Sequence, residues 1–281
     1  MSQGLALMAV RATFGTVGRI APALAARWAE TLFFRPSRAE ARPHEDAFLA
    51  GGERFSFTTS RGVLAAWAWG SGPTVLLVHG WSSRTARFRV IGPALVEAGF
   101  RVIGYDHPAH GDSPGTRTSL VEVAATLLEV TRQTGPLYAA VGHSLGGAAV
   151  AVALARGLAL ERAVLIAPFS ASPDFVARFA AIVNLPPAAR DLMIRNIERR
   201  FQMKFEDLYI PSLVTRFAIP AMIIHDREDL DIPFSEGEAI AQAWPGARLV
   251  EAEGVGHHGI MRDEEIAARI ADFLRAPPGQ A

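Results

Sequence analysis

Six residues, Gly142-His143-Ser144-Leu145-Gly146-Gly147, interrupt an otherwise apolar run from Leu137 to Leu154. A serine hydroxyl there has two uses. It can cap the following helix by accepting a backbone N–H. It can also attack a carbonyl, provided that a base takes its proton and a third group orients that base. The glycines favour attack. A sharp strand-to-helix turn strains its central residue and tolerates no bulk nearby, and Gly142 and Gly146 flank Ser144 symmetrically. A base and an orienting acid must come from further along the chain. Of the eight histidines, only His257 and His258 follow the last strand-like run, in "GVGHHGI". The acids before them lie in "HDREDLDIP", which offers Asp226, Glu228, Asp229 and Asp231.

These residues need a scaffold that brings them together. From residue 55 onward, short apolar runs alternate with longer helical patterns. "RFSFTT" and "VLAAWAW" read as an opening antiparallel pair. "TVLLVHG", "RVIGYD", "LYAAVGH", "RAVLIAP", "AMIIHD" and "ARLVEA" follow, most of them apolar almost throughout. Continuous rather than alternating hydrophobicity marks strands covered on both faces, as in a parallel sheet with crossover helices. Helical patterns lie near 85–98, 118–134, 145–156, 235–243 and 262–275. The alternation predicts a doubly wound α/β fold, in which functional groups collect beyond the C-terminal ends of the strands. The stretch from Pro168 to Ile219 is too long for one crossover helix, and Pro186-Pro187 divides two helical patterns within it. It reads as a helical cap inserted over about 169–218, whose Phe, Ile, Met and Leu could cover a pocket.

Gly-x-Ser-x-Gly in a strand–turn–helix context is the nucleophile-elbow pattern. With it stand "HGW" after one strand, "YDHPAHGDS" after the next, and a late Asp followed by a His. In these motifs and their order the chain, from about residue 55 onward and apart from the insertion, resembles the α/β-hydrolase-fold serine hydrolases. The resemblance implies a mostly parallel eight-stranded sheet flanked by helices. It also implies ester or related acyl hydrolysis without a cofactor or metal.

Carried onto this sequence, the resemblance makes Ser144 the nucleophile. "GVGHHGI" is similar to the family's Gly-x-Gly-His loop and assigns the base to His257, with His258 a neighbour. The family's acid stands three residues before an aliphatic residue and Pro, so Ile232-Pro233 selects Asp229. The glycine expected earlier in that pattern is Asp226 here, a departure. The oxyanion donors are the backbone N–H groups of Leu145 and Trp81. Trp81 and His143 are placed on the substrate side. Asp106 and Ser113 organise the loop that carries His107 and His110. These two histidines with Asp106 and Asp112 could suggest a metal, but they match a loop-structuring motif.

Composition bounds the rest. Half of the 281 residues are hydrophobic and a fifth are charged, with Lys+Arg and Asp+Glu equal at 28 each. That is a globular balance with no basic block for nucleic acid. The absence of cysteine excludes disulfides and a thiolate nucleophile. Residues 1–43 read as an N-terminal helical arm and a linker from Pro36 to Pro43, with 44–281 as the hydrolase domain. Arg11, Arg19 and Arg27 interrupt the arm's apolar run, against a signal peptide or a membrane span. The arm is expected to dock on its own domain; the other reading is a basic amphipathic helix making weak peripheral contact with a membrane. The resulting expectation is a cytoplasmic esterase for short to medium acyl chains, with a small-molecule ester as its partner. A lysophospholipase or other lipid acyl hydrolase, an acyltransferase, and a non-catalytic ligand receptor are the alternatives.

Overall fold

The computed structural model describes residues 3–39, 42–171 and 174–277. Positions 40 and 41 of the expected linker, and 172 and 173 of the expected insertion, lie outside the described residues. The chain divides into two compact units: Met1–Pro36 with Ala171–Tyr209, and Ser37–Ser170 with Ile210–Ala281.

The larger unit is built on eight strands: β1 (Glu53–Thr59), β2 (Gly62–Trp69), β3 (Thr74–Val78), β4 (Arg101–Tyr105), β5 (Ala139–His143), β6 (Arg162–Ile166), β7 (Ala221–Asp226) and β8 (Arg248–Ala252). They form one sheet in the order β1-β2-β4-β3-β5-β6-β7-β8. β1 and β2 pair antiparallel, as do β2 and β4, and every later pairing is parallel. The runs that are apolar throughout are the buried ones: every residue of β3, β5, β6 and β7 is buried, whereas the edge strand β8 is only partly so. Side chains alternate across a strand, so each face needs its own cover. On one face Val75, Leu77, Val102 and Val164 pack with Ile91 and Leu95 of the helix Ile91–Glu97 and with Ile266, Ile270 and Leu274 of the helix Glu264–Arg275. The helices Leu120–Thr134 and Leu145–Ala155 pack on each other. The second is made almost wholly of Gly, Ala and Val and is buried on nearly all sides, the pattern of a helix sunk into the interior.

The loops after β3, β4, β5, β7 and β8 all leave from the C-terminal ends of parallel strands, which is why residues far apart in sequence share one edge of the sheet. The tightest of these junctions follows β5. A Cβ on Gly146 would lie 2.0 Å from the Val78 carbonyl oxygen and 2.6 Å from that of His79. Both obstacles are backbone and cannot swing away. Gly146→Ala is therefore expected to cost about 3 kcal/mol or more and to lower the melting temperature by roughly 5–10 °C. A variant melting within about 2 °C of the parent in calorimetry would show that this close approach is dispensable.

The smaller unit consists of the helices Gln3–Ile20, Pro22–Phe33, Asp174–Val183 and Pro187–Phe201. Phe14, Ala25, Ala26 and Ala29 of the arm share a core with Val176, Ala180, Val183, Met193 and Ile197. Phe33 packs against Phe175 and Phe179 with ring centroids 5.6 and 5.0 Å apart. The Arg11 guanidinium donates to the carbonyls of Ala181 and Ile182 at 3.1 and 2.7 Å, satisfying orphan acceptors at a helix end. Much of the apolar character of the 175–197 segment is thus committed to the arm. The arm leaves Leu5, Met8, Ile20 and Trp28 exposed. Among the described residues, no helix is long and apolar enough to cross a membrane.

Candidate active site

Ser144 sits at the junction of β5 and the helix Leu145–Ala155 with φ 54° and ψ −120°, the strained backbone that a sharp elbow requires. Its own N–H donates to the Ile166 carbonyl at 2.9 Å, and its carbonyl accepts from Gly147 and Ala148. The hydroxyl makes no capping bond to the helix. The capping use of Ser144 is therefore not taken up, and the side chain is left to line a cleft of about 470 Å³. His257 and His143 line the same cleft, with Gly80 and Trp81 opposite. Gly80 comes so close to the elbow that a Cβ there would be 3.1 Å from Ser144 Cβ.

His257 stands in the short helix Gly256–Gly259 beyond β8. Its ring Nδ1 is 2.7 Å from Asp229 Oδ2, in the loop beyond β7. With Nδ1–H donating to the carboxylate, Nε2 is the ring nitrogen left to accept a proton. Asp229 is held from all sides. Oδ1 accepts from the N–H groups of Asp231 and Ile232, both at 2.8 Å, and Oδ2 also lies 3.4 Å from His225 Nε2. Burial alone would push this carboxyl up. The bonds from His225, His257 and the Ile232 backbone outweigh it and hold Asp229 well below the usual carboxylate range, so it stays ionised. Asp231 instead faces water and lies 3.6 Å from His258.

Asp226 occupies the position where the resemblance calls for glycine, and the structure gives the substitution a function. Its Oδ1 accepts from Glu228 N–H at 2.6 Å, and its Oδ2 accepts from Val255 and Gly256 at 2.6 and 2.8 Å. These last two residues directly precede His257. The carboxylate therefore ties the Asp229 turn to the His257 loop. Burial opposes its ionisation, but the three backbone donors hold it below the ordinary range. Sequence reasoning saw Asp226 only as a departure, because its partners lie about thirty residues away.

Leu145 opens its helix, so its N–H belongs to the first turn, where intrahelical partners are missing. The Gly80–Ser82 segment is fixed by histidines. His79 Nδ1–H donates to Gly80 O at 2.8 Å, while its Nε2 accepts from His107 N–H at 3.0 Å. His110 Nε2 accepts from Ser82 N–H at 3.0 Å, its Nδ1–H faces Pro108 O, and its ring packs edge-on to Trp81. Trp81 thus lies between two anchored residues. All three histidines are neutral. Burial and mutual repulsion hold His79 well below its ordinary value, and burial first of all lowers His107 to about 3 and His110 to about 4. Asp106 accepts from Thr85 and Asp112 N–H at 2.8 and 2.9 Å, and Ser113 Oγ–H donates to Asp106 O while its oxygen accepts from Ala65 N–H. These are loop-building contacts.

His143 lies at the cleft, but its Nε2 is committed to the His257 carbonyl at 3.0 Å, and burial lowers it to about 3. Its polar contact therefore positions the His257 loop. Asp229, Asp231 and His257 form a group of the kind that could hold a metal ion. Three backbone and imidazole donors already engage the two oxygens of Asp229 at 2.7–2.8 Å, so the donor set fits an oriented imidazole better than a cation.

Residues 75–211, which run from β3 through the elbow, match the alpha/beta hydrolase family. Together with the eight-stranded order this decides the classification. The chain has the α/β-hydrolase fold. A serine hydrolase-like protein from Dictyostelium discoideum is 32% identical over 134 residues, which are 42% of this chain and 36% of that protein. This hydrolase-fold chain therefore matches only about a third of that relative's length. RutD of Pseudomonas savastanoi pv. phaseolicola, named for carbamate hydrolysis, is 26% identical over 216 residues, covering 62% of this chain and 83% of its own. The esterase EaEST from Exiguobacterium antarcticum superposes with a TM-score of 0.63 over 80% of this chain and 100% of its own. At 18% identity, that likeness is one of fold.

Proposed function

We propose that this α/β-hydrolase-fold chain is a carboxylic ester hydrolase working through an acyl-enzyme on Ser144. The observation that carries the reading is the 2.7 Å His257–Asp229 bond in the cleft that Ser144, free of any capping bond, also lines. Ser144 Oγ attacks the acyl carbonyl as its proton passes to His257 Nε2. The tetrahedral oxyanion accepts from the N–H groups of Leu145 and Trp81. Collapse expels the alcohol, which takes the proton back from His257. Water then attacks the acyl-enzyme, giving its proton to the same nitrogen, which passes it to Ser144 Oγ as the intermediate collapses and releases the acid. Asp229 fixes the tautomer and stabilises the imidazolium. A cleft of about 470 Å³ supports short to medium acyl groups.

A fluorophosphonate probe tests the nucleophile without knowledge of the substrate. Labelling confined to Ser144, with turnover of 4-nitrophenyl acetate, is the expected result. Labelling elsewhere, or none, would exclude the reading and favour a non-catalytic receptor. Asp229→Asn should lower kcat about 10⁴-fold, because the imidazole loses its correct tautomer. Asp231→Asn, at an exposed and loosely paired site, should change it by less than about threefold. The reverse order would reassign the acid.

A further inference from the structure

The cleft around Ser144 is cationic although the chain as a whole is neutral. Arg42, Arg87, Arg89 and Arg262 line it, and among the described residues Glu45 is the one carboxylate that does so. Lys+Arg and Asp+Glu balance at 28 each over the full sequence, so this bias is local and does not reflect a basic protein. Glu45 is almost fully buried and pairs with Arg87 at 2.9 Å, with its second oxygen sealed from solvent. Its charge therefore anchors Arg87 and is not presented to a ligand. Among the described residues, the guanidinium groups of Arg42, Arg89 and Arg262 have no carboxylate or hydrogen-bonding partner. The four arginines come from three separate segments, around 42, 87–89 and 262, so their convergence is a product of the fold.

Gathering like charges costs stability and calls for a compensating anion. Burial, together with the neighbouring Arg42, Arg262 and Arg84, lowers the Arg87 pKa despite its bond to Glu45. Single arginines on a surface are ordinarily just solvated. Several unpaired ones around a concave site focus the field and draw in anions. The guanidinium fork also matches the geometry of carboxylate and phosphate oxygens. Large apolar side chains are few here, Trp81 and Met261 being the ones that line the cleft. A neutral fatty ester would find little complementary surface.

We propose that the substrate is an ester bearing an oxyanion, carboxylate or phosphate, on the part that lies against Arg42, Arg89 and Arg262. This inference deepens the ester-hydrolase reading of Ser144 and rests on it. It is also more restrictive than a preference for simple short acyl chains.

The test uses matched pairs that differ in one charge: 4-nitrophenyl hydrogen glutarate against its methyl ester, and butyryl glycerol phosphate against butyrylglycerol. In at least one pair the anionic member should have a kcat/KM about tenfold higher or more, and the advantage should shrink as salt rises from about 50 to 500 mM. The pair with the larger ratio identifies the carboxylate or the phosphate. In the Arg89→Gln/Arg262→Gln double variant the ratio should fall about tenfold. Ratios near one in both pairs, or a ratio untouched by the double variant, would overturn the inference while leaving the hydrolase intact. If no ester is turned over at all, the Ser144 reading fails separately. Calorimetric titration of the Ser144→Ala protein with glutarate and with inorganic phosphate then decides the anion site: saturable heat lost in the Arg89→Gln/Arg262→Gln background supports it, and no heat overturns it.

Discussion

Ser144→Ala is expected to lower kcat for ester hydrolysis on the order of 10⁵-fold, with the far-ultraviolet circular dichroism unchanged. The hydroxyl makes no capping bond, so its removal leaves no helix donor unsatisfied. Alanine can keep the same backbone, although φ 54° is strained for either residue. The melting temperature should therefore stay within about 2 °C of the parent. His257→Ala should cost about as much activity, and the double variant little more, because nucleophile and base act as one unit. Residual turnover above about 1% in Ser144→Ala, once contamination is excluded by the fluorophosphonate probe, would remove Ser144 from the reaction.

Acid should unfold this protein earlier than its carboxylates alone would require. His79, His107, His110 and His143 are buried and neutral. Burial is the first cause in each case, holding His79 well below its ordinary value and lowering the other three to about 3, 4 and 3 respectively. In the unfolded chain such groups titrate near 6.5. Below that value the unfolded state binds protons that the folded state refuses, so stability is full at neutral pH and falls as pH falls. His107, His110 and His143 each remove about 2 kcal/mol between pH 7 and 5, together on the order of 6 kcal/mol, comparable to the whole stability of a typical domain, and His79 acts in the same direction. Asp226 and Asp229 are held below the ordinary range and add to the loss at lower pH, while Asp106, pushed up by burial, acts in the opposite sense. The melting temperature should collapse near pH 5. A change of only a few degrees between pH 7 and 5 would show that the imidazoles accept protons in the fold. His110→Gln, which keeps an acceptor for Ser82 N–H, should make the pH dependence shallower by about one proton.

The sequence by itself determined the eight strands, the elbow at Ser144 and the class of chemistry that its residues permit. Those features rest on local patterns: strands covered on both faces must be apolar throughout, and a sharp turn needs glycines within two positions of its centre. The tertiary structure decided what is set by packing between distant segments. Which of four acids meets which of two adjacent histidines depends on how the loops beyond β7 and β8 lie, and the fold makes the bond between Asp229 and His257 while Asp231 turns outward. Asp226 breaks the expected pattern locally because it binds backbone donors of the His257 loop, which no nearby residue announces. The arm and the 171–209 segment share one core, since each has an apolar face that neither can bury alone. The sequence's zero net charge conceals the arginines around Ser144, because charge balance is a property of the whole chain and a cationic cleft is a property of where three segments meet.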